Sequence, residues 1–319
     1  MSTEDDTLRP EDFADAALAA ITDAAGHDIA GAAGLLAEAG LLGISAAEDD
    51  GGLGLGLEFA LSLAAIAGRE NLGFPFVEQM LLARAFAGTP QAAALIAGEL
   101  VATIAWQGDV GLGLASQAPF AGVCGAVLVA RDGEAVLFER ESLQVSEDPA
   151  LDPERPQSWL GLAGAREIAV LDTEGFAALR REARLLQGAY VTGLAEAALE
   201  TTAAYLETRT QFGRPLSAKQ AVRHSLARMK LLVEKNKAAL ARALAADEFG
   251  AARDARAAFV TAAADAGFVL ERAIHLHGAM GFTWEVPLHR ALRAVRKIDA
   301  AFDTPAALRG LGKTFIDAA

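Results

Sequence analysis

The sequence predicts an α+β protein, mostly α, in three successive parts: helices over 1–100, short strands over 101–172 and a helical bundle over 173–319. Three observations predict it. Apolar residues recur at helical spacing towards both ends of the chain. Short β-rich runs separated by turn residues fill the middle. Long helical stretches with short connections close the chain, as in antiparallel bundles.

In the first part, DFADAALAAITDAAG, AAGLLAEAGLLG and LEFALSLAAIAGRE each carry the helical apolar period, and abundant alanine favours helix. The opening MSTEDDTLRPED is acidic and polar and is expected to stay outside the core. The break AEDDGGLGLG contains Gly52-Leu53-Gly54-Leu55-Gly56. A phosphate loop follows a strand and opens a helix. Here a helix precedes the glycines, so the segment reads as a turn.

In the second part, VATIAW, AGVCGAVLVA and GEAVLFE predict a small antiparallel region, with Arg131-Asp132-Gly133 as a turn. The connection EDPALDPERP is too proline-rich for a helix to cross. Trp159, in PQSWLG, reads as a packing residue. In the third part, helices are expected over 176–208, after Pro215, over about 252–276 and over about 287–300. The second of these shows a core-facing stripe of Val222, Leu226, Met229, Val233, Leu240 and Leu244. The chain shows no internal repeat.

Composition narrows the function. The chain has 319 residues, 53% hydrophobic and 22% charged, enough for a large core. A net charge of -14 sets aside a general nucleic-acid binder, which needs a basic surface. An anionic ligand would have to meet a local cluster of Arg or Lys. The single Cys124 excludes an internal disulfide and a cysteine metal site, and reads as a small core residue. The N-terminus lacks the basic region of a secretory signal, and no charge-free apolar run reaches the length of a membrane span. A cytoplasmic location is the expectation. His275 and His277 are two residues apart and do not share a helix face, so no metal is expected.

Two stretches carry more information. One runs Tyr205-Leu-Glu-Thr-Arg209-Thr-Gln211-Phe212-Gly213-Arg-Pro215, with Gln220 following; the other runs His275-Leu-His277-Gly278-Ala-Met-Gly281-Phe282-Thr-Trp-Glu285. From spacing alone the first is a helix end, a turn and a new helix, an ordinary bundle corner. Together they resemble the acyl-CoA dehydrogenase family, whose pattern is Y-x3-R-x-Q-F-G-x-P followed by H-G-G-x-G-F-T-x-E. AEAGLLGISAAEDDGGLGL resembles that family's N-terminal region as well. The resemblance implies an N-terminal helical domain, a middle β-domain and a C-terminal four-helix bundle that pairs subunits around FAD. It implies that Arg209 reaches the FAD diphosphate of a neighbouring subunit, a contact suited to a bidentate guanidinium. By the same resemblance Gln211, Phe212, Gln220, His275, Gly278 and Gly281 are cofactor-binding positions.

The resemblance also shows what is missing. Members use a glutamate to take the α proton of an acyl-CoA thioester, with its pKa raised by desolvation. One family position for it falls on Ala183, beside Glu182, which reads as a solvated residue; Arg184 matches an arginine often found there. The other falls on Phe302, with Asp303 a weak catalytic candidate one residue away. The family's flavin-ring loops are replaced by GDVGLGLASQAP and PQSWLG. The chain therefore resembles the short degenerate subunit of heterotetrameric (α2β2) bacterial acyl-CoA dehydrogenases, which implies a second dehydrogenase subunit as partner and an acyl-CoA substrate. Such enzymes act on steroid-derived or fatty acyl thioesters. The alternatives are a self-sufficient homodimer using Asp303 and a non-enzymatic scaffold on the same fold. Arg290, Arg293 and Lys297 share one helix face and read as solvated.

Overall fold

The computed structural model describes residues 8–148 and 155–317. The first part is helical: α1 (Ala14–Ala24), α2 (Ile29–Glu38), α3 (Leu57–Arg69), α4 (Phe76–Ala85) and α5 (Pro90–Ile96). Local chemistry starts these helices. Asp28 accepts from the Gly31 N–H at the head of α2, and Thr89 accepts from Ala92 N–H ahead of Pro90 in α5. The glycine-rich break is a turn, with Gly51 at φ 92° and Gly54 at φ 63°. The expectation for the opening segment falls partly on residues 1–7, outside the described residues; Pro10–Phe13 form a 3-10 turn.

Among the described residues eight strands follow: β1 (Ala102–Ile104), β2 (Gln107–Asp109), β3 (Leu114–Pro119), β4 (Ala126–Arg131), β5 (Glu134–Glu139), β6 (Gln144–Asp148), β7 (Gln157–Gly161) and β8 (Glu167–Leu171). They form two four-stranded sheets, ordered β1-β4-β5-β8 and β2-β3-β7-β6. Val127, Val129, Val136, Phe138 and Leu160 fill the space between them. The wholly antiparallel expectation is corrected by β1 and β4, which pair in parallel. Between them the chain leaves for the other sheet and returns running the same way. Trp159 is also corrected: β7 alternates, placing Ser158 and Leu160 inside and leaving Trp159 47% exposed. The proline-rich connection lies largely in 149–154, outside the described residues.

The last part contains α6 (Thr173–Thr208), a small hairpin β9 (Thr210–Gln211) and β10 (Arg214–Pro215), α7 (Gln220–Leu244), α8 (Arg256–Leu276), α9 (Leu288–Phe302) and α10 (Thr304–Asp317). Asp172 caps α6 through Gly175 N–H. The third predicted helix begins at Arg256 rather than near residue 252, because Ala246 and Ala252 pair as an isolated bridge first. No membrane-crossing helix, long and apolar enough, occurs among the described residues.

One apolar core joins the first helices to the bundle, with Leu63, Leu81, Val191, Leu194 and Leu270 in a single cluster. Gln79 fastens the β region to it. Its amide donates to Leu95 O and Leu100 O, both at 2.8 Å, and its Oε1 accepts from Ala102 N–H at 2.9 Å. The centre of the cluster is the crossing of α3 and α6, where backbones touch. A Cβ on Gly68 would lie 2.0 Å from Tyr190 O, and one on Gly193 2.0 Å from Ala65 O. In an ordinary helix Gly→Ala stabilises by about 0.5–1 kcal/mol. At this crossing Gly193→Ala is expected to do the opposite, costing about 1–3 kcal/mol by forced separation of the helices. The midpoint of urea unfolding measures the sign.

Candidate functional site

The two motif stretches meet in space. Tyr205, in the last turns of α6, stacks on His277 with ring centroids 4.4 Å apart and planes 16° apart. His277 is buried and its Nδ1 bonds Ala273 O at 2.9 Å. The stack fixes the end of α6 against the end of α8. Beyond it the chain turns through the β9–β10 hairpin, with Phe212 at φ 57° and Gly213 at φ 75°. Two consecutive positive φ values make the two-residue turn that matches strand twist.

This geometry displays the predicted residues on one corner. Arg209 closes α6 and is exposed, with no ion pair among the described residues. Gln211 is exposed and its amide donates to Thr210 O. Phe212 is 89% exposed, with Lys219 Nζ 4.7 Å from its ring centre. Gln220 is the exposed first residue of α7. His275 is exposed on the last turn of α8, and Gly278 follows at φ 62°. Gly281 is buried, and its need for glycine is internal: a Cβ there would meet Ile274 O at 2.2 Å. Phe282 and Trp284 are 80% and 66% exposed nearby in sequence, an apolar display that monomers seldom carry in clusters.

The places expected for a base look different. Ala183 is fully buried. Glu182 is not the solvated residue expected: its carboxylate accepts from Arg84 Nε, 3.2 Å to each oxygen, and Arg84 also donates to Ser45 O. Packing of α4 on α6 brings the pair together. Phe302 lies in an aromatic cluster, 4.6 Å from Trp106 and 4.9 Å from Phe259 between ring centres. Asp303 is exposed at the end of α9, in the left-handed region at φ 46°. The face of Arg290, Arg293 and Lys297 is also corrected. Arg293 covers Trp284 at 5.2 Å, and Lys297 is buried with its Nζ donating to Arg155 O.

Beside the Phe302 cluster is a cavity of about 70 Å³, lined by Glu78, Gln117, Gln157, Gln187 and Tyr190 among others. Gln117 and Gln157 come from β3 and β7, the neighbouring strands built from the two stretches that replace the family's flavin-ring loops. Sequence reasoning missed Glu78. It is buried on α4, and one oxygen accepts from both Trp106 Nε1 at 3.1 Å and Gln187 Nε2 at 2.9 Å. Burial pushes its carboxyl above the usual range, against which the Trp106 and Gln187 bonds and the Arg155 charge pull down. A space of about 70 Å³ is well below the roughly 300–1,000 Å³ of small-molecule sites.

A helical region, two small sheets and a helical bundle seated on one long helix define the acyl-CoA dehydrogenase fold. Solved structures share it. The Tcur3481-Tcur3483 steroid ACAD matches 97% of this chain and 98% of its own, with a TM-score of 0.83 and 25% identity. A chain of the ChsE4-ChsE5 complex from Mycobacterium tuberculosis matches 99% and 98%, with a TM-score of 0.82 and 24% identity. The chain belongs to the acyl-CoA dehydrogenase family, and the model of that family's C-terminal domain matches residues 177–301. Acyl-CoA dehydrogenase FadE34 of Mycobacterium tuberculosis is 30% identical over 286 residues, which are 84% of this chain and 39% of FadE34. The chain thus spans well under half the length of that relative.

A raised carboxyl pKa means that the folded protein holds a proton that the unfolded chain has already released. Glu78 therefore makes stability fall as pH rises from the ordinary carboxylate range towards its folded pKa. Glu78→Gln keeps an oxygen acceptor for Trp106 and Gln187. It is expected to flatten that slope and to be the more stable form at neutral pH, as read from urea midpoints taken between roughly pH 5 and pH 8.

Proposed function

We propose that this chain is a non-catalytic or half-site subunit of a heteromeric, FAD-dependent acyl-CoA dehydrogenase, an α2β2 assembly whose other subunit supplies the base. The observation that carries this reading is Phe302. The family's base position holds an aromatic ring packed on Trp106 and Phe259, beside a cavity of about 70 Å³. Those residues do not fit a flavin ring or an acyl thioester. The other half of a site fits its ligand well: Arg209 stands exposed at the bundle corner, flanked by Gln211, Phe212, His275 and Gly278, with Gln220 opening the next helix.

When bound, FAD accepts the hydride in this chemistry. The part of this chain is to hold the nucleotide end. Arg209 offers paired N–H groups to diphosphate oxygens, and Gln211, Gln220 and His275 offer further hydrogen bonds. Gly278 permits close approach of the backbone, and Phe212 an apolar face. The Tyr205–His277 stack keeps these groups in register. Likeness to the Tcur3481-Tcur3483 steroid ACAD supports a steroid-derived CoA thioester as the substrate class. Asp303 does not replace the missing base in this reading, because it is exposed and a working base needs desolvation.

The isolated chain should carry little flavin and no dehydrogenase activity, whereas co-expression with a second, complete dehydrogenase subunit should yield a yellow complex. Full flavin loading and turnover by the chain alone would falsify the proposal, and an active-fold complex free of flavin would favour a scaffold role. Within the complex, Arg209→Ala should weaken flavin retention about ten-fold or more, the worth of a charge-assisted hydrogen bond. Asp303→Asn should leave turnover within about two-fold, since it loses no contact with the chamber. Flavin-to-protein ratios and steady-state rates read the two outcomes.

A further inference from the structure

A second basic feature lies away from the corner. Arg180 and Arg184 project from α6 one turn apart, and Arg256 is the first residue of α8. All three line a cleft of about 270 Å³ whose inner wall is Trp106, Phe259 and Phe302 and whose rim includes Gln107 and Asp303. Gln107 is held there by its side-chain amide, which donates a hydrogen bond to Ala300 O at 2.6 Å.

Some arginines elsewhere are paired and others, such as Arg209 and Arg228, have no carboxylate within 4.0 Å among the described residues; what sets Arg180, Arg184 and Arg256 apart is that the three line one cleft. Arg69 pairs with Glu196 and Glu200, Arg84 with Glu182, Arg131 with Glu134 and Glu167, and Arg296 with Glu271 and Asp299. A chain with 42 acidic and 28 basic side chains has carboxylates to spare. Yet Arg180 and Arg184 have no carboxylate within 4.0 Å among the described residues, and Arg256 has only Asp254, at 3.9 Å and exposed. Arg180 sits instead over the Phe176 ring. Arg184 is half-buried, and burial followed by the neighbouring Arg180 charge lowers its pKa. Three guanidiniums against the one carboxylate of Asp303 repel each other at a site partly withdrawn from water. The exposed Asp254 offsets part of that cost, through Arg256 and Arg184.

We propose that this cleft binds a phosphate-class anion, held by Arg180, Arg184 and Arg256. Guanidiniums form forked hydrogen bonds to oxyanions, and a phosphate presents enough oxygens and charge for three of them, which a carboxylate does not. Trp106, Phe259 and Phe302 give the cleft an apolar inner side. The inference does not rest on the partner reading, since it concerns this chain alone.

Titration calorimetry on the full chain in phosphate-free buffer at low ionic strength tests it, with inorganic phosphate and coenzyme A as the two probes. Saturable binding of either probe is expected. Free phosphate binding as tightly as coenzyme A points to the free ion as ligand; tighter coenzyme A points to a phosphate ester. Arg184→Gln, and separately the exposed Arg256→Gln, should each weaken binding about ten-fold or more, with raised salt doing the same to the parent chain. The unliganded Arg184→Gln chain should melt no lower than the parent, since a repulsion is relieved. Absence of binding by both probes, binding unaffected in both glutamine variants, or binding abolished by Arg209→Ala instead would overturn the assignment.

Discussion

Backbone contact between α3 and α6 is the constraint on which the remaining geometry rests. At 1.5 Å per residue, the 36 residues of α6 span about 54 Å. A helix this long is held mainly by what its sides bury, not by its own propensity. The stretch from Leu185 to Ala195 is buried almost without interruption, and Gly68 and Gly193 let the two helices approach until carbonyls meet Cα atoms. Once seated there, α6 sets three places at once. Its first half carries Arg180 and Arg184 to the cleft, its middle presents Gln187 and Tyr190 to the small cavity, and its end delivers Tyr205 and Arg209 to the corner.

The two ends of that helix lead to opposite chemical surroundings. At the corner, polar groups and one large ring stand in solvent, held by a hairpin and by the Tyr205–His277 stack. In the interior, Trp106, Phe259 and Phe302 pack ring on ring, and the buried carboxyl of Glu78 is engaged by two donors. A buried carboxylate with both Trp106 and Gln187 directed at it is a structural polar cluster, since an unpaired one would be costly in a core.

Much of this was legible in sequence, and the exceptions have physical reasons. The helices α1–α3 and α6–α9, the turn at Gly51–Gly54 and the strands β1, β4 and β5 follow from period and composition, whereas α4, α5 and α10 are not marked out as separate helices by either. The strands β2 and β3 did not, because GDVGLGLASQ is rich in glycine and lacks alternation; their pairing comes from neighbours, not propensity. The motif residues of the corner were legible because they form two short contiguous stretches. Glu78 was not, since on α4 it looks like any polar helix residue until Trp106 and Gln187, both distant in sequence, close over it. The Glu182–Arg84 pair, buried Lys297 and the arginine cleft share that property: each is made by tertiary juxtaposition and leaves no local pattern.

The hairpin apex holds Phe212 at φ 57°, where a side chain with a Cβ costs roughly 1–2 kcal/mol relative to right-handed backbone. Asparagine or glycine would sit there with less strain. The chain thus keeps a local conformational penalty in order to hold a ring almost wholly in water, a second unfavourable choice at the same residue. Two costs fall on one side chain, so glycine or asparagine at the apex would firm up the hairpin and remove the ring from solvent.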